Sequence, residues 1–143
     1  MTATIAPATE TNRALGRHFF EEQDRLRGGP APELCAPSYR AHLGGNPAMD
    51  RAAHEGFALG FYGAFPDLHH VIEHVVATED AVVVRFVLHG TNSGSLFGMP
   101  ATGRAATIAC IAMLFVENGK VVTLKAVFDE AGMLRQLGVL PGG

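Results

Sequence analysis

Two long stretches with many apolar residues, Arg104–Glu117 and Lys120–Phe128, are joined by the dipeptide Asn118-Gly119. Asn-Gly accepts the positive φ angles of a two-residue hairpin turn, so the pair predicts adjacent antiparallel strands. Two further strands are predicted just before, over His69–Ala77 and Ala81–Asn92, joined by the acidic turn Thr78-Glu79-Asp80. Helical spacing is confined to the first half of the chain and to its last few residues. Leu15, Phe19 and Leu26 form one stripe, with Thr11 or Asn12 as cap and Gly28-Gly29-Pro30 as stop. Ala31–Ala36 predicts one or two helical turns broken by Pro37, and Ser38–Leu43 an extended run. Asn46-Pro47 predicts a second helix start, followed by the stripe Met49, Ala53, Phe57, Gly60, Phe61 and Ala64 up to Pro66. A short closing helix is predicted over Glu130–Leu137.

Helices followed by a meander of strands define an α+β chain rather than alternating βαβ units. Such a curved antiparallel sheet tends to curl over its helices, and an internal pocket remains where they do not fill the curl. The length of 143 residues fits one core. Residues 1–11, rich in Thr, Ala and Pro, are expected to be a mobile tail, and residues 12–143 a single domain.

Composition narrows the function classes. With a net charge of −3 and no basic stripe, nothing predicts a nucleic-acid surface. No apolar run is long enough to span a bilayer and no signal peptide is visible, so no membrane association is expected. Cys35 and Cys110 lie far apart without metal-ligand spacing, which predicts reduced thiols and a cytoplasmic location.

Alternation along the last strand puts Thr123, Lys125, Val127 and Asp129 on one face and Val122, Leu124, Ala126 and Phe128 on the other. Asp129 is either the cap of the closing helix or, in an apolar pocket, a carboxylate with a raised pKa suited to proton transfer. Lys125 is either an anion-holding neighbour or a surface lysine. Asn92, on a face with Phe86 and Leu88, is either an oxyanion donor or a turn residue. His70, Ile72 and His74 share a strand face, with His69 opposite; their spacing does not predict a metal site. Leu96, Phe97 and Met99 read as an apolar rim, and Phe61 and Phe65 as core that also lines the pocket.

Several motifs together resemble the SnoaL-like polyketide cyclase family of the nuclear-transport-factor-2-like fold group. They are Ala64-Phe65-Pro66-Asp67-Leu68, Val84-Arg85-Phe86 with Gly90-Thr91, Phe97-Gly98-Met99-Pro100-Ala101-Thr102-Gly103-Arg104, Gly119-Lys120-Val121-Val122, and Asp129 with Gly132-Met133-Leu134 and Gln136-Leu137-Gly138. Tyr39 and His42 match an earlier Tyr-x-x-His pattern. The resemblance implies a cone-shaped, cystatin-like α+β barrel with a deep pocket, in a homodimer or higher homo-oligomer, needing no metal and no organic cofactor. It implies intramolecular aldol condensation of a polyketide or similar small hydrophobic carbonyl substrate, with Asp129 as general acid and base. Asn92 would assist the chemistry, and His42 would either carry protons or orient a substrate carbonyl, or be a structural histidine. Tyr39, Lys125, Phe61, Phe65, Phe86, Leu88, Phe97 and Met99 would contact substrate. The chain departs from the family where Thr123 and Lys125 replace a frequent Glu-x-Trp, and where Asn92 replaces a frequent His. Those departures keep open a ligand-binding protein without catalysis, and an epoxide hydrolase or ketone isomerase in the same pocket.

Overall fold

The computed structural model describes residues 7–140. Helix α1 (Pro7–Leu26) is followed by a 3-10 turn (Pro32–Leu34), strand β1 (Cys35–Leu43), helix α2 (Arg51–Ala64), strands β2 (His69–Ala77), β3 (Ala81–Thr91), β4 (Ala105–Glu117) and β5 (Lys120–Phe128), and helix α3 (Glu130–Gln136). The five strands form one sheet in the order β1-β5-β4-β3-β2. The meander β2 to β5 is antiparallel as the sequence predicts, whereas β1 joins β5 in parallel, making the sheet mixed. Asn118 and Gly119 take φ of 51° and 74°, the geometry their hairpin demands.

Helix α1 packs on β2 and β3, α2 on β1, and α3 on β4. The inner sheet face presents Val82, Val84 and Phe86 from β3, and Ile108, Cys110, Ala112 and Leu114 from β4. All are buried with Phe19 and Phe20 of α1 and Phe61 of α2. Two bulges set which residues face inward. An irregularity between Phe115 and Val116 leaves Val121 and Leu124 buried on the same side of β5, so Ala126 and Phe128 follow Leu124 inward. A second, between Ile72 and His74, turns His74 outward. His74 therefore does not share a face with His70 and Ile72, as simple alternation predicts.

Two helix starts differ from expectation. Helix α1 begins at Pro7, so residues 7–11 of the expected tail are helical; residues 1–6 lie outside the described residues. Asn12 is not its cap but a buried cross-link, donating to the carbonyls of Thr78 and Glu79. Helix α2 starts at Arg51, not at Asn46-Pro47. Met49 pairs with Ala41 in an isolated bridge that keeps the chain extended, and the Asp50 carboxylate then caps Ala53 N at 2.8 Å.

The loop after β3 is tied to the end of α2. Gly94 N donates to Ala64 O at 3.1 Å, and an added Cβ on Gly94 would lie 2.1 Å from Gly63 O. That neighbour is backbone and cannot yield. Gly94→Ala is expected to lower the unfolding free energy by about 2 kcal/mol, as overpacking does, and urea denaturation checks it.

Candidate active site

A cavity of about 100 Å³ lies between the inner sheet face and the two long helices. Its wall is mainly apolar: Phe20, Leu43, Phe57, Ala58, Phe61, Leu68, Phe86, Leu88, Leu124, Ala126, Val127 and Phe128. Its polar members are Gln23, His54, Tyr62 and His70, with the thiol of Cys110. No lysine, arginine, aspartate or glutamate is among these lining residues. At the rim Phe97 packs on Phe57 and Phe61 at ring distances of 5.5 and 5.4 Å, over the bare backbone of Gly60.

His70 is held by Asp24 from α1. Its backbone N–H donates to Asp24 Oδ2 and its Nδ1 bonds Oδ1, both at 2.8 Å. The hydroxyl of Tyr62 donates to the same Oδ1 at 2.8 Å, and the Arg27 guanidinium lies 4.6 Å over the Tyr62 ring. Burial alone would raise the Asp24 carboxyl. The hydrogen bonds from His70, its Coulombic pull when protonated and the Tyr62 hydroxyl outweigh it and hold the group below the usual range. Tyr62 is pushed up by burial and by Asp24, so it remains a phenol. A carboxylate accepts, so Nδ1 of His70 carries a proton and Nε2 is left as the ring's other nitrogen. The ring itself is clamped between Phe20 and Phe86, at 5.4 and 4.9 Å.

His54 is the second imidazole on the wall. Tyr39, 1% exposed, meets His54 Nδ1 through its hydroxyl at 2.9 Å. Burial pushes the phenol up and pushes His54 down to about 4, so both groups are neutral near neutral pH. A buried phenol with only Nδ1 in reach donates to it, which places the imidazole proton on Nε2. The cavity thus combines a carboxylate-oriented imidazole and a neutral imidazole N–H donor. Burial also raises both thiols, Cys35 and Cys110, to about 12, so they stay protonated. Among the described residues, no three histidine, cysteine, aspartate or glutamate side chains converge as a metal-holding group.

The residues singled out in the sequence are dispersed. Phe61, Phe86 and Leu88 line the cavity. Phe65 is fully buried beside it, stacked at 6.5 Å on Phe61. Phe97 and Met99 belong to the rim loop, where Met99 bridges Leu96. Tyr39 reaches the site only through His54. Lys125 and His42 line a shallow groove with Ile111 and Met113, because beyond the bulge Lys125 alternates with the inward Leu124 and Ala126; Val127 borders both this groove and the cavity. Asp129 is exposed and absent from the cavity wall; its carboxylate accepts from Gly132 N at 2.9 Å as the cap of α3. Asn92, 1% exposed, donates to Ala64 O and Gly94 O and accepts from Thr102 N and Oγ1, which occupies its amide fully.

Sequence reasoning missed Asp24, His54, Tyr62 and Gln23. Asp24 follows Glu21, Glu22 and Gln23, and reads as part of a solvated helix face. Its partner His70 is 46 positions away. The chain offers one local signal, a histidine at position 54 one place from the apolar stripe of α2.

A helix-covered curved sheet enclosing an apolar pocket is the nuclear-transport-factor-2-like cone. Within that fold group the chain belongs to the SnoaL-like polyketide cyclase family, whose family model matches residues 16–137. A protein of Jannaschia sp. CCS1, provisionally assigned as a SnoaL-like polyketide cyclase, superposes with a TM-score of 0.82 at 21% identity, over 98% of this chain and 100% of that one. AclR of Streptomyces galilaeus, provisionally called a hydroxylase, superposes at 0.83 with 25% identity over 93% of this chain and 88% of its own. IdmH of Streptomyces antibioticus, provisionally a polyketide cyclase, is 29% identical with a TM-score of 0.72, over 93% of this chain and 99% of that one. No curated protein matches the chain by sequence. No helix among the described residues is long and apolar enough to cross a membrane.

Proposed function

We propose that the cavity is the active site of a cyclase-type enzyme acting on a small, uncharged carbonyl compound, with His70 rather than Asp129 as general acid and base. The observation that carries this reading is the Asp24–His70 pair, which puts an oriented imidazole on the wall of an otherwise apolar cavity. His70 Nε2 takes a proton from the carbon beside the carbonyl. The electron pair passes to the carbonyl oxygen, which accepts a hydrogen bond from His54 Nε2–H. In a ring closure the enolate carbon bonds to an internal carbonyl carbon. The new alkoxide then recovers the proton from His70.

A cavity of about 100 Å³ is on the scale that holds a single small ring. A larger polyketide enters on this reading only with Phe97 swung off Gly60. Family membership supports cyclase chemistry; the relatives are provisionally called polyketide cyclase or hydroxylase, and one an LEH-like epoxide hydrolase. Epoxide opening is disfavoured because no carboxylate lines the cavity.

The experiment is α-hydrogen exchange of cyclopentanone in D₂O, followed by proton NMR. The unaltered protein is expected to accelerate exchange above buffer. Asp129→Asn is expected to keep that rate within about twofold, since asparagine caps a helix as well as aspartate does. Loss of exchange in Asp129→Asn would return the general base to that carboxylate. Binding of the ketone without exchange would make this a ligand-binding protein.

A further inference from the structure

Gln23 is a polar residue that the fold does not use. It is 5% exposed, it lines the cavity from α1, and its Nε2 is buried with no hydrogen-bond partner among the described residues. An unpaired buried amide donor is costly, and native proteins retain few of them. No acceptor among the described residues reaches this amide, so an apolar side chain would suit the resting protein better.

The chain nevertheless holds this amide in place. The next turn runs through Gly28 and Gly29, and Gly28 N donates to Gln23 O at 3.2 Å. A Cβ on Gly29 would lie 2.7 Å from Gln23 Cγ and 2.8 Å from Cδ. The side chain therefore rests on bare backbone in a slot that only glycine leaves open. The unpaired Nε2 costs stability, and no hydrogen bond among the described residues offsets it.

We infer that Gln23 is a binding residue whose amide donates a hydrogen bond to the carbonyl oxygen of the bound compound, beside the donor supplied by His54. The inference deepens the proposed function and rests on it for the ligand class. A carbonyl oxygen has two lone pairs and accepts two such donors. With His70 as the acceptor of the carbon-bound proton, and with the Tyr62 hydroxyl committed to Asp24 and the Cys110 thiol to Ile108 O, the wall offers the ligand two donors and one base. That set selects a neutral carbonyl compound over its hydrocarbon analogue, because the hydrocarbon leaves both donors unpaired.

The test is read by binding, so that its failure differs from failure of the chemistry. The dissociation constant of cyclopentanone is measured by ligand-observed NMR for the unaltered protein, Gln23→Met and Gly29→Ala, and melting temperatures are taken without ligand. Gln23→Met keeps the volume and removes the donor. It is expected to weaken binding about tenfold, the size of one hydrogen bond to a buried partner, while the melting temperature stays level or rises. Gly29→Ala keeps the amide but displaces it, and is expected to weaken binding as well, which leaves the inference testable should Gln23→Met fold poorly. An unchanged dissociation constant in the folded variants would overturn the inference, as would failure of cyclopentanone to bind the unaltered protein. Retained binding without exchange would count against the His70 mechanism alone.

Discussion

Replacing His70 with glutamine is expected to lower protein-catalysed exchange of cyclopentanone about a thousandfold, the middle of the range for removing a general base. Glutamine is close in length and polar, yet at neutral pH its amide cannot carry a proton back and forth. Asp24→Asn tests the same machinery from behind. The carboxylate takes three donors: the His70 backbone N–H, its Nδ1 and the Tyr62 hydroxyl. An asparagine has one acceptor oxygen and an NH₂ group, so at least one of those donors meets another donor. The imidazole then loses the partner that fixes its orientation and holds its Nδ1 proton. A loss of about a hundredfold is expected for Asp24→Asn, with dissociation of cyclopentanone changed far less than the rate. Equal loss in binding and rate would mean that these residues only shape the cavity. A His70→Gln protein exchanging at the unaltered rate would remove the proposed base.

How much of this was legible in the sequence follows from the range of the forces involved. Local chemistry wrote the hairpin at Asn118-Gly119, the strands of the meander and the alternation of β5. The same alternation did not say which face is inward. That is decided by bulges near Val116 and Glu73 and by where α1 and α2 pack, both tertiary facts. Leu124, Ala126 and Phe128 therefore line the cavity, while Asp129 leaves the strand on the outer parity and caps α3. The start of α2 moved for a similar reason. Asn46-Pro47 carries a good local signal, but the bridge between Met49 and Ala41 holds the chain extended until Asp50. The site itself was least legible. Asp24 meets His70 and Tyr39 meets His54 across separate elements, and nothing in residue spacing marks either pair. The family resemblance gave the fold and the existence of a pocket, both properties of the backbone, and it could not say which side chains of this chain fill the wall.

The neutral imidazole at position 54 has a consequence for stability in acid. In the unfolded chain histidine titrates near 6.5, whereas burial depresses the folded value to about 4. Between those values the unfolded chain binds a proton that the folded protein does not, so the unfolding free energy rises with pH across the window. The contribution is fully present above about pH 6.5 and is lost as pH falls toward 4. At about 1.4 kcal/mol per pH unit the loss reaches about 3 kcal/mol. Asp24, with its carboxyl held below the usual range, loses its contribution only at more acid pH and leaves this window to other groups. His54→Gln removes the titration but keeps an acceptor for the Tyr39 hydroxyl, so urea denaturation from pH 7.5 to 4.5 should separate the two proteins. The unaltered protein is expected to lose about 2 kcal/mol more than the variant over that range, against a variant that starts lower at pH 7.5. Parallel curves would mean that the ring at position 54 takes up its proton as readily when folded as when unfolded. The cavity would then lack the uncharged N–H donor on which the enolate assignment depends.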